Sequence, residues 1–265
     1  MNLGFFYKIK WTISLIVLRF NSLLKTQNGD WVMGRVACLG QDVYKMLNVN
    51  LPLINYQKAR IDYFNDAILS TNRKTQAIQA ITYIPRDDIK GLILQQEAFR
   101  IYNKAPNVLY MDSFAELSDQ KFLNKKGKWS FYANYSDINH SELFKGNFES
   151  HGLLDLNDIF EQYHKFFTTF RMTYGQVPII FIHFPVKLET REKFKERFTV
   201  IKNSIDVLKH EFEPFYSFEV DEEIVDWPND DRFAEDKSFP YHYNEETYEN
   251  FVSQLRSSNG FRFPL

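Results

Sequence analysis

Short runs that are apolar on both faces, each followed by a segment of helical periodicity, limit the folds open to this chain more than any other feature. The clearest is Val177-Pro178-Ile179-Ile180-Phe181-Ile182-His183, closed by Phe184-Pro185. A strand without a polar face has to be covered on both sides. The segment behind it carries Phe194, Phe198, Ile201, Ile205, Leu208 and Phe212 at four-three spacing, the stripe of a helix packed on a sheet. Thr190 is its expected N-cap, and Glu189 with Lys193 an i,i+4 pair on its outer side. Residues 35–39, 78–84, 107–111 and 215–220 read as further strands. Helical patterns cover 43–47, 89–102, 113–122 and 155–170, and Asn244 caps a last helix with Tyr248, Phe251, Val252 and Leu255 facing inward. This alternation predicts an α/β fold: a three-layer α/β/α sandwich with a mainly parallel sheet. Residues 121–150, polar and aromatic, read as a long loop or insertion able to act as a lid. Residues 221–243 read as acidic and irregular.

The N-terminus has a different character. Residues 1–28 contain Lys8, Lys10, Arg19 and Lys25 but no acid, and their apolar positions recur at helical spacing. The uncharged run from Trp11 to Leu18 is too short to span a bilayer. Two readings fit: a basic amphipathic helix on a membrane surface, or a helix packed on the domain or on a second subunit. The organisation expected is this helix followed by one α/β domain over residues 30–265.

Composition excludes more than it identifies. A net charge of −2 over 265 residues gives no electrostatic basis for nucleic-acid binding. One cysteine, Cys38, rules out an internal disulfide framework and fits a reducing compartment, so a cytoplasmic location is expected, peripheral on the inner membrane if the first helix binds lipid. His140, His151 and His164 fit no zinc spacing, and there is no Gly-rich phosphate loop, so neither a metal nor a cofactor is expected.

In parallel sheets ligands bind beyond the carboxyl ends of the strands, and four polar groups fall there: Gly40-Gln41-Asp42, Asp112-Ser113, His183, and the segment Asp236 to His242. A serine nucleophile needs a base, and the base an orienting carboxylate. Ser113, His242 and Asp236 supply these types in a workable chain order. Ser113 equally serves as cap of the following helix.

A strand, a Gly-x-Asp turn, a helix and a histidine before the closing helix together resemble the SGNH/GDSL hydrolase superfamily, with Ala37-Cys38-Leu39-Gly40-Gln41-Asp42 at the place of its first block. The serine that family carries after its glycine and aspartate is absent there, and no aspartate stands two residues before His242. The resemblance implies removal or transfer of acyl groups, often on carbohydrates, with Asn134 in the place of the oxyanion asparagine. Leu39-Gly40-Gln41-Asp42-Val43 is also similar to the opening turn of bacterial polysaccharide-locus proteins of the WcbI type and related cysteine-peptidase-like families. In this chain Cys38 reads as strand core.

The expected function is therefore an acyl esterase or acyltransferase on a bacterial surface polysaccharide or its precursor. Ser113 would attack, His242 take the proton and Asp236 orient the ring, with Gly40, Gln41, Asp42, Asp112, Asn134 and His183 around the substrate. The alternative is a non-catalytic or glycosyl-transfer-associated module that binds a polysaccharide or nucleotide sugar. Expected partners are a carbohydrate or acylated glycan, with a membrane surface or a second copy for the first helix.

Overall fold

The computed structural model describes residues 3–69, 77–127, 129–228 and 241–258. Along the chain run α1 (Leu3–Asn28), β1 (Val32–Arg35), α2 (Cys38–Leu47), β2 (Leu53–Asn55), α3 (Ile61–Leu69), α4 (Ala77–Ile81) and α5 (Asp87–Ala98). Then come β3 (Val108–Asp112), α6 (Phe114–Ser118), β4 (Asp119–Asn124), β5 (Ser130–Asn134), α7 (Glu142–Asn147), β6 (Phe148–Gly152) and α8 (Ile159–Tyr174). The chain continues through β7 (Ile179–Ile182), α9 (Glu192–Glu211), β8 (Phe215–Phe218) and α10 (Glu245–Ser257).

The main sheet has the order β2-β1-β3-β7-β8, with every neighbouring pair parallel. Residues of β1, β3 and β7 are buried throughout, as unbroken apolar strands require. Helices α2 and α10 pack together on one face, while α8 packs with α3 and α9 on the other. The result is the three-layer α/β sandwich that the alternation predicts.

Several local expectations are corrected. Residues 35–39 are not one strand, because β1 ends at Arg35 and α2 begins at Cys38. Both backbone groups of Val36 bond the Asn55 side chain, at 3.0 and 2.8 Å, and the Ala37 amide donates to Asp112. Side chains thus take the groups that a strand would have used for its ladder. Residues 78–84 are not a strand either: Ala80, Ile81 and Ile84 are buried as the inner face of α4 and the turn after it.

The helix expected over 113–122 stops at Ser118, and the expected loop 121–150 is largely an antiparallel sheet of order β5-β4-β6. It reads as polar because Gln120 and Lys121 are half-exposed and Glu149 to His151 exposed, while Phe122, Phe131 and Phe148 pack together, with Phe122 and Phe131 stacked at 5.2 Å; Tyr132 is buried on the opposite side. Arg191, not Thr190, precedes α9, and buried Glu189 bonds Arg191 and Tyr241 rather than Lys193. Two elements passed unnoticed in the sequence, β2 and α3.

A second apolar cluster joins the small sheet to Ile81, Ile93 and Leu94 of α4 and α5 and to Trp11 and Leu15 of α1. One face of α1 therefore packs on the domain. Among the described residues no helix is long and apolar enough to cross a membrane.

Candidate functional site

The strand order reverses between β1 and β3: the chain leaves β1 towards β2 on one side, and β3 towards β7 on the other. Such a switch point leaves a crevice beyond the strand ends, with α2, the helix after β1, opening into it. Gly40 lets α2 begin this close to the sheet. A Cβ at that position would lie 2.6 Å from the Val36 Cβ and 3.2 Å from Asp112 Oδ2. Gly40→Ala is therefore expected to lower stability by about 1–3 kcal/mol, read as a fall in the urea midpoint.

Asp112 holds the two strand ends together. Its Oδ2 accepts from the Ala37 amide at 2.5 Å and its Oδ1 from the Phe114 amide at 3.1 Å. Burial raises its carboxyl to about 7, against the opposing pull of Arg35 and the two amides. Cys38, the first residue of α2, is half-buried, and its Sγ lies 3.7 Å from the Tyr241 carbonyl. Its place at the start of a helix replaces the strand-core position expected for it. Burial, then the nearby Asp112, pushes the thiol up to about 12, so it is not a thiolate at neutral pH. Buried Tyr241 and Tyr243 reach Glu189 Oε2 at 2.7 Å and the Pro185 carbonyl at 2.8 Å. These bonds tie the segment containing His242 to the switch-point edge.

The predicted site residues divide between places. Ser113 is wholly buried; its hydroxyl accepts from the Phe184 amide at 2.9 Å, while its own amide donates to the Ile182 carbonyl at 3.2 Å. It stitches β3 to the continuation of β7, and no histidine among the described residues bonds it. His242 is partly buried beside Tyr241, and Asp236 lies outside the described residues. Gly40, Gln41 and Asp42 sit together in the first turns of α2. Gln41 Nε2 donates to Gln57 Oε1 at 2.7 Å, and Asp42 pairs with Lys45 at 2.7 Å.

Asp112 and His183 end neighbouring strands but point to opposite faces of the sheet. Strand side chains alternate, so Asp112 shares the α2 face with Tyr110, whose hydroxyl bonds the Gly40 carbonyl at 2.9 Å. His183 shares the other face with Phe181; its ring meets Phe198 of α9 and its Nε2 lies 2.9 Å from Ser217 Oγ. Burial lowers this imidazole to about 4 and keeps it neutral. Asn134 belongs to the small sheet, where its side chain caps the turn 135–137.

A buried ionic layer lies behind the strand ends on the α8 face, and the sequence reading did not find it. Arg35 Nη1 donates to both oxygens of Glu116 at 2.6 Å, and its Nη2 to the Asp112 carbonyl at 2.5 Å. Tyr163 donates to Glu116 Oε2 at 2.5 Å, and the Ile61 amide to Oε1 at 2.8 Å. Alongside, Lys58 bridges Asp119 at 3.1 Å and Asp137 at 2.8 Å. The only signal was a lone arginine ending an apolar strand and an acid within an apolar run.

No protein-family model, curated protein or solved structure matches this chain. Among the described residues no group of three or more His, Cys, Asp or Glu side chains is placed to hold a metal ion.

Proposed function

We propose that the chain recognises a carbohydrate or nucleotide sugar, as a binding or glycosyl-transfer-associated module, in the crevice where β1 and β3 meet. The observation that carries this reading is the kind of group left accessible there. Cys38, Gln41, Asp42, Gln57, His242 and Tyr248 are partly exposed, whereas the strand-end serine is sealed. Primary amides, a carboxylate and an aromatic ring suit a ligand rich in hydroxyl groups.

The test is calorimetric titration of the whole protein with a panel of nucleotide hexoses and neutral oligosaccharides. One member is expected to bind, and Gln41→Ala to weaken it about tenfold, the effect of losing one or two hydrogen bonds. Absence of binding by every member would overturn the proposal.

A second reading is serine acyl transfer by an esterase or acyltransferase acting on a surface glycan. The tether between Cys38 and Tyr241 favours it, because it brings the His242 segment to the strand edge that holds Ser113. In that reading Ser113 releases the Phe184 amide and attacks the acyl carbon, its proton passing to His242 and from there to the departing sugar oxygen as the ester C–O bond breaks, while Asp236 orients the ring; the acyl-serine is then cleaved by water or an acceptor hydroxyl. A fluorophosphonate adduct on Ser113 that disappears in His242→Ala is the outcome expected of this reading. A folded protein that takes no adduct excludes it.

A further inference from the structure

Helix α1 is apolar on two opposite faces, and its own domain covers only one of them. Trp11 and Leu15 are buried against α4 and α5. On the far side Ile9, Ile13, Ile16, Phe20 and Leu23 follow each other at four-three spacing, with Val17 and Leu24 widening the stripe. Ile13, Ile16 and Phe20 are 55–59% exposed. A helix that is apolar all round belongs inside a core, and alternating four-three spacing is the seam that another helix fills. We propose that the outer face of α1 forms the seam of a two-fold dimer, covered by the same helix of a second copy.

Area and charge both favour this occupant. Seven such side chains, each about half exposed, leave roughly 500–700 Å² of apolar surface per copy, at the upper end of what a monomer carries. Pairing two copies would bury roughly 1,000–1,400 Å², where specific interfaces begin. A lipid surface would instead draw on free cations beside the stripe. Among the described residues, the cations that flank it, Lys10 and Arg19, face Asp87 at 3.7 Å and Glu97 at 3.8 Å on α5. A two-fold interface also places the middle of the stripe, Ile16, against its own equivalent.

The full-length protein would be measured by light scattering on a sizing column over a wide concentration range. The expected mass is that of two chains, falling to one in Ile16→Glu and in Phe20→Glu with an unchanged far-UV circular dichroism spectrum, since both positions are exposed in the monomer. In a Cys38→Ser background, Ile16→Cys is expected to form an intermolecular disulfide under mild oxidation, while Asn21→Cys, off the stripe, is not. A wild-type monomer at every concentration would overturn the proposal, as would a dimer that both glutamate variants leave intact. A monomer that co-floats with phosphatidylserine vesicles would likewise overturn it and assign the face to lipid.

Discussion

Replacing Glu116 with alanine is expected to remove about 3–5 kcal/mol of folding stability, the scale for breaking a buried ion pair from one side. Glu116 and Arg35 are both essentially inaccessible to solvent, and the carboxylate accepts from Arg35, Tyr163 and the Ile61 amide. Its backbone carbonyl also accepts from Arg197 of α9, at 3.0 and 2.8 Å. Truncating the side chain leaves a guanidinium buried without its counter-charge, beside a phenol and an amide without acceptors. Glu116→Gln keeps an acceptor but loses the charge, so it is expected to fall between wild type and Glu116→Ala. Urea unfolding followed by far-UV circular dichroism checks the order. Equal midpoints for all three proteins would show that the layer contributes nothing net to stability.

The second large effect is a decline in stability with rising pH. Asp112 has its carboxyl raised from 3.8 to about 7, chiefly by burial, and Asp119 has its own raised to about 6 for the same first reason. Between pH 4 and 7 the folded chain retains protons that the unfolded chain releases. Their contribution is therefore full below about pH 4, lost progressively as pH rises through the folded values, and absent above them. For Asp112 the loss is on the scale of a few kcal/mol. The urea midpoint is expected to fall between mildly acid and mildly alkaline pH, and Asp112→Asn to flatten the part of the slope nearest neutrality. That variant also sacrifices one of the two amide bonds at the switch point, so its midpoint should be lower at acid pH. The slope is the diagnostic. A wild-type profile without a slope across neutrality would show that Asp112 stays ionised in the fold.

The consequence for function is that the crevice rests on groups that tolerate little change. Asp112 positions the turn before α2, Arg35 holds the Asp112 carbonyl from the other face, and Gly40 admits the helix at short range. On the binding reading proposed above, a ligand at the start of α2 would meet a preorganised turn, and variants of these three residues would alter binding through position rather than contact.

The layers were legible in the chain alone. Strands without a polar face have to be covered on both sides, alternation with helices makes their sheet mainly parallel, and the four-three stripes of α8 and α9 are signals contained within a few turns of chain. Gln41 and Asp42 were also legible as residues near the sheet edge, because they fall in the opening turns of the helix that comes after β1. The placement of the polar groups came from the folded arrangement. Ser113 looked available in sequence, yet its hydroxyl is consumed by an amide 71 residues away. His183 and Asp112 looked like companions at adjoining strand ends, yet strand alternation and register send them to opposite faces. Residues 121–150 looked like a loop until antiparallel pairing brought Phe122, Phe131 and Phe148 together. Periodicity reports whether a residue faces inward, because that depends on local geometry. Which polar groups meet depends on register and chain order, and those are set by contacts between residues far apart in the chain.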